Sequence, residues 1–97
     1  MYSINLEALS HPFRGVTIEY VDIVNYEIAR ENICSYIFYL SRMIKTCESN
    51  KSYSINQKIE NLIYIRDNLQ IEDFDSIKKV FNQIIPEYKL QKRMISN

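Results

Sequence analysis

The stretch Ile33-Cys34-Ser35-Tyr36-Ile37-Phe38-Tyr39-Leu40-Ser41-Arg42-Met43-Ile44-Lys45-Thr46-Cys47 decides the fold of this chain. Its apolar residues Ile33, Ile37, Leu40, Ile44 and Cys47 advance in steps of four, three, four and three, which draws one stripe down an α-helix. The helical reading extends outward from Thr17 to Glu48. Thr17 is a capping residue type, and Glu19 suits the positive end of a helix dipole. Val16-Thr17-Ile18-Glu19-Tyr20 also alternates as a β-strand does, but an isolated strand in so short a chain would lack a partner, so helix is expected.

Downstream, the polar residues Asn50 to Tyr53 read as a loop. Ser54-Ile55-Asn56-Gln57 fits a capping box and opens a second helix, with Ile55, Ile59, Leu62, Ile63 and Leu69 on one side, ending near Gln70. Glu72, Asp73 and Asp75 cluster at a third helix start. There Phe74, Ile77, Phe81, Ile84 and Tyr88 step three, four, three, four. Pro86 predicts a kink or a new short helix, with Leu90 and Met94 out of phase with Phe81. Upstream, Ser3 to Leu9 reads as a short helix capped by Ser3 and ended at His11-Pro12, with Gly15 in a turn. The expectation is one all-α domain over residues 1–97. Its form is a small antiparallel bundle of three long helices plus one or two short ones, because short connections make neighbours antiparallel.

Composition closes off several functions. Ninety-seven residues, 46% apolar and 25% charged, suit one globular domain. A single glycine excludes Gly-rich phosphate loops, and the scarcity of Gly and Pro argues against a β-sandwich. Twelve basic and twelve acidic residues cancel, which disfavours nucleic acid as a partner. Residues 1–13 lack the basic start and continuous apolar core of a secretory signal. The longest uncharged run, Asn32 to Ser41, is half the length a membrane helix needs. Cys34 and Cys47 lie thirteen apart in one helix, so they cannot bridge, and they are expected as buried reduced thiols in a cytoplasmic protein.

Catalytic chemistry finds little to use. His11 is the only histidine and precedes a proline, and three scattered Cys and His residues cannot build a four-ligand zinc site. No catalytic residue, cofactor or metal is expected, and the chain reads as a non-enzyme. Binding is better supplied. Phe38 and Tyr39 project away from the main stripe of their helix, either covered by neighbours or exposed as an aromatic hot spot. Eight tyrosines cannot all be buried, so some of Tyr20, Tyr26, Tyr36, Tyr39, Tyr53 and Tyr64 must meet solvent or a partner. Arg66 interrupts an apolar face and either snorkels or joins an interface ion pair. Glu72, Asp73 and Asp75 either complement a helix dipole or form an acidic patch for a basic partner such as a nuclease. Lys89, Lys92 and Arg93 read as dipole complements at a helix end.

Sixteen Ile, nine Asn and seven Lys against two Ala reflect AT-rich codons. In size, single helical domain, lack of catalytic residues and this codon bias, the whole chain resembles the small cytosolic immunity proteins of bacterial toxin systems. No motif carries the likeness, and the neutral charge departs from the acidic character of many nuclease inhibitors. The resemblance implies stoichiometric binding that covers a toxin's active site or its substrate-binding surface. Two other readings compete. One is a phage or mobile-element regulator, either a defence inhibitor or a small DNA-binding protein using Asn82-Gln83 beside Lys78-Lys79. The other is a helical homo-oligomer packed through Phe38 and Tyr39.

Overall fold

A strand that finds a partner sets where the first helix begins. The computed structural model describes residues 3–5 and 17–96. In it β1 (Ser3–Asn5) pairs antiparallel with β2 (Thr17–Glu19), Ile4 opposite Ile18. The expected helix over Ser3–Asn5 is therefore a strand, and Thr17 starts no helix. Ile18 is buried and anchors the ladder. Helix α1 (Tyr20–Ile44) follows directly, with Glu19 at its cap and the Glu19 N–H donating to Asp22 Oδ2 at 2.9 Å. His11, Pro12, Gly15, the remainder of the expected first helix and the side chain of Met94 lie outside the described residues.

Helix α2 (Ser49–Asn68) has its N-cap at Glu48, six residues before the Ser54 of the expected capping box, so Asn50–Tyr53 is helical rather than a loop. Its first turn is built from polar groups that satisfy one another. The Lys51 and Ser52 N–H groups both donate to the Glu48 carbonyl (3.0 and 3.2 Å), and Ser52 Oγ donates to the Ser49 carbonyl (2.7 Å). Gln57 is not a capping residue here; its side chain donates to the Tyr53 hydroxyl (2.9 Å).

The third expected helix is a composite of α3 (Phe74–Lys79), a π-helical turn (Val80–Ile84) and α4 (Ile85–Ser96). Asp73 caps it, accepting from the Ser76 N–H (3.2 Å) and from Ser76 Oγ (2.6 Å). The break is the one Pro86 demands. A proline lacks an N–H and its ring clashes with the carbonyl four residues back, and the wider π turn just before it makes room. The Ile85 N–H accordingly reaches back five residues to the Val80 carbonyl. The π turn also shifts the buried line to Ile77, Val80 and Ile85, while Phe81, Ile84 and Tyr88 are half-buried and Phe74 is exposed. Leu90 is exposed as well and starts no second buried stripe.

Ala29, Ile33, Tyr36 and Leu40 of α1 meet Leu62, Leu69, Ile77, Val80 and Ile85 in one core. Ile37 and Ile44, expected in that stripe, are half-buried. Asp22 and Asn25 lie beside Phe74 and Ile77, whereas Tyr36 and Tyr39 reach Glu87 and Gln91, so α1 and the α3–α4 rod run in the same direction. Lys58 meets Glu87 and Ile55 lies beside Leu40, so α2 runs back antiparallel to both. The described residues are all-α apart from the three-residue ladder, and none of their helices is long and apolar enough to cross a membrane. The radius of gyration is 16.1 Å, against about 12.5 Å for a compact domain of this length. A rod of 50 × 26 × 16 Å leaves one face of each helix uncovered.

Leu62 is fully buried and Tyr64, two positions on, is 68% exposed. In urea titrations Leu62→Ala is expected to lose about 3 kcal/mol and Tyr64→Ala no more than about 0.5 kcal/mol. Equal losses would show that the inner face of α2 is placed wrongly.

Candidate protein-binding groove

Successive residues on an α-helix turn by about 100°, so side chains two apart point to nearly opposite sides. With Tyr36 and Leu40 turned into the core, Phe38 between them is driven outward, and it is 63% exposed. Arg42, one turn further on, lays its guanidinium over the Phe38 ring at 5.9 Å. Tyr39 takes the side between, facing α4.

A clamp of polar and aromatic contacts holds this side of α1 in place. The Tyr36 hydroxyl donates to Glu87 Oε2 at 2.7 Å, and Lys58 of α2 reaches the same oxygen at 2.7 Å. The Tyr36 ring stacks on Tyr88 (centroids 5.0 Å apart, 24° between planes). Tyr39 meets Tyr88 edge-on at 5.9 Å and donates its hydroxyl to the Gln91 carbonyl at 3.2 Å. Lys92 stands 5.0 Å from the Tyr88 ring centre. Burial, then the hydrogen bond to Glu87 and the charges of Glu87 and Tyr39, push the Tyr36 hydroxyl far above its ordinary value, so it stays a neutral donor. Burial and Tyr88 raise Tyr39 in the same sense. Burial would raise the Glu87 carboxyl too, but hydrogen bonds from Lys58 and Tyr36 and the Lys58 charge outweigh it and hold it below its usual range.

Between α1 and α4 this leaves an open groove of about 750 Å³, lined in part by Cys34, Phe38, Tyr39, Arg42, Tyr88 and Lys92. Its chemistry is aromatic and cationic. Among the described residues no carboxylate and no histidine line it. Among the described residues no three His, Cys, Asp or Glu converge to hold a metal ion. Cys34 and Cys47 are free and half-buried rather than fully buried.

Of the candidate partner-binding residues read from sequence, the groove unites Phe38 and Tyr39, and it joins to them Arg42 together with Tyr88, expected in an apolar stripe, and Lys92, expected as a dipole complement. Both cations sit four residues after an aromatic, Phe38–Arg42 and Tyr88–Lys92, a spacing present in the sequence that the periodicity reading did not use. Tyr64 stands exposed on the outer face of α2, and Tyr36 is buried. Arg66 is half-buried, its Nε 3.0 Å from Asp67 Oδ1, and the guanidinium also meets the Cys34 thiol. The expected acidic patch is divided. Glu72 is 3% exposed and engaged, Asp73 is spent on the α3 cap, and of the three only Asp75 is exposed. Asn82 and Gln83 are exposed on the π turn rather than on a regular recognition helix.

Tyr36→Phe removes one hydrogen bond from the clamp and is expected to lose about 1 kcal/mol in chemical denaturation. Glu87 has its pKa lowered by folding. Its contribution is therefore present above the ordinary carboxylate value of 4.5 and disappears as pH falls through the lower folded value. Glu87→Gln should flatten that acid limb of the stability profile, and an unchanged limb would remove the clamp from the account. No family model, curated protein or solved structure matches this chain, so the groove's own chemistry carries its functional reading.

Proposed function

We propose that this chain is a non-catalytic binding domain that acts by covering a surface of another protein. In this reading it is an immunity protein or antitoxin that neutralises a bacterial toxin by stoichiometric binding. The observation that carries the binding reading is Phe38, a large ring held outward under Arg42 at the lip of the Tyr39–Tyr88 groove. Aromatic and arginine side chains of this kind dominate binding energy at protein interfaces. The clamp beneath supports it, because a surface ordered before binding loses less conformational freedom on binding. A specific interface covers about 800 Å² per partner, and the domain exposes 7001 Å². The toxin-neutralising part rests on the resemblance in size, helical class and residue usage, and the free thiols suit a reducing cytoplasm.

Co-expression with the product of the neighbouring gene is the direct test. Protection from that product's toxicity supports the reading. A neighbour without toxicity, together with no protection from any toxin, ends the immunity assignment. In the protecting complex Phe38→Ala should weaken affinity by at least about thirtyfold, the loss of about 2 kcal/mol typical of an interface anchor. Its melting temperature should match the parent's, since Phe38 lies outside the core.

A further inference from the structure

The zero net charge of this chain hides a strong polarity along its length. The half built from residues 17–31, 60–68 and 72–79 carries nine carboxylates and four cations. The other half comprises residues 38–58 and 85–96. Besides the Lys58–Glu87 pair, it sets Arg42, Lys45, Lys51, Lys89, Lys92 and Arg93 against Glu48 alone. Residues 32–37 and 80–84 form an uncharged waist between them. Because α1 and the α3–α4 rod run in parallel and α2 returns, like charges collect at the same end of a 50 Å molecule. At physiological salt the screening length is about 8 Å, so each end presents its own field.

We infer that the partner surface docked at the Phe38 groove is acidic: a protein segment rich in Asp and Glu that also carries an apolar side chain to seat against Phe38. This rests on the binding reading above and names the chemistry of the partner. The two ends differ in how their charges are used. At the acidic end Asp22 bonds the Glu19 N–H, Asp73 caps α3, Asp67 holds Arg66 and Glu72 is engaged. At the basic end Arg42, Lys45, Lys51, Lys89 and Arg93 are exposed and make no ion pair among the described residues. Dipole complementarity explains cations in the last turns of α1 and α4, but not Lys51, which sits in the first turn of α2 where the dipole favours an anion. An unbalanced cationic field around an exposed ring selects a partner with an acidic rim and speeds its approach.

A protein segment fits better than single-stranded nucleic acid, which needs successive free aromatic faces for its bases. Among the described rings that line the groove, Tyr88 lies against Tyr36 and Lys92, Tyr39 is turned edge-on to Tyr88, and Phe38, the one that faces outward, is already covered on one side by Arg42. A second copy of the chain fits less well too: its acidic end intersperses four cations among the nine carboxylates, and seating that end on the basic end of a neighbour is a head-to-tail contact that closes no dimer.

The test is an NMR titration of the full ¹⁵N-labelled chain with three probes at low and high salt: a peptide alternating Glu and Leu, its Lys–Leu counterpart, and single-stranded oligothymidylate of equal length. The Glu–Leu peptide is expected to shift amides at Phe38, Arg42, Lys45 and Lys92, more weakly at high salt. The double variant Arg42→Glu/Lys45→Glu should reduce its affinity by at least about tenfold, and Asp75→Asn at the far end should leave it unchanged. Should that double variant fail to fold, Lys45→Glu/Lys51→Glu, two exposed positions, is expected to give a loss in the same direction. Binding of the Lys–Leu peptide at Phe38 with equal affinity overturns the acidic partner while leaving the protein-binding reading intact. Tighter binding of oligothymidylate, self-association centred on Phe38, or silence with all three probes each overturns the inference.

Discussion

A single carboxylate oxygen joins the helices of this domain. Glu87 Oε2 accepts from Tyr36 of α1 and Lys58 of α2 while belonging to α4, so three elements far apart in sequence meet at one atom. The arrangement is stable because each partner suits the others. The burial that keeps Tyr36 neutral also strengthens its hydrogen bond, and the lysine charge keeps the acceptor ionised. In a thin molecule with a short list of fully buried side chains, such a pin does what a larger core does elsewhere, which is to fix the rotation of each helix about its axis.

That rotation determines the surface. Once Tyr36 and Leu40 are turned inward, Phe38 has only the outside left to it, and Tyr88, stacked on Tyr36, becomes the floor of the neighbouring groove. The cations follow by helical spacing, Arg42 one turn past Phe38 and Lys92 one turn past Tyr88. The proposed binding face is thus the reverse side of the clamp, and the parallel course of α1 and α4 gathers the basic residues around it. Overall neutrality, which from composition spoke against nucleic acid as a partner, is a sum over two opposite ends rather than a property of either.

Local signals were legible wherever the chain's nearest neighbours decide the outcome. The Glu72–Asp75 cluster marked the start of α3, and Pro86 announced the break that the π turn provides. Errors arose where a distant partner or an unexpected helical turn intervened. Thr17–Glu19 alternates as a strand should, and only β1 reveals what it pairs with. The loop expected at Asn50–Tyr53 is helix because its polar side chains and backbone satisfy one another within the turn. The even stripe from Phe74 to Tyr88 presumed a uniform helix, and the five-residue π step moved Val80 and Ile85 into its place.

By itself the sequence determined the all-α class and the presence and approximate course of the main helices. These follow from backbone propensity and 3.6-residue periodicity, which act over one or two turns. Tertiary structure alone decided which tyrosine is buried and which ring is exposed, that the three carboxylates near α3 have three different environments, and that the charges divide between the two poles. Each of those depends on which helix lies beside which and in what direction, and that is fixed by contacts such as Tyr36–Glu87, whose partners are fifty-one residues apart.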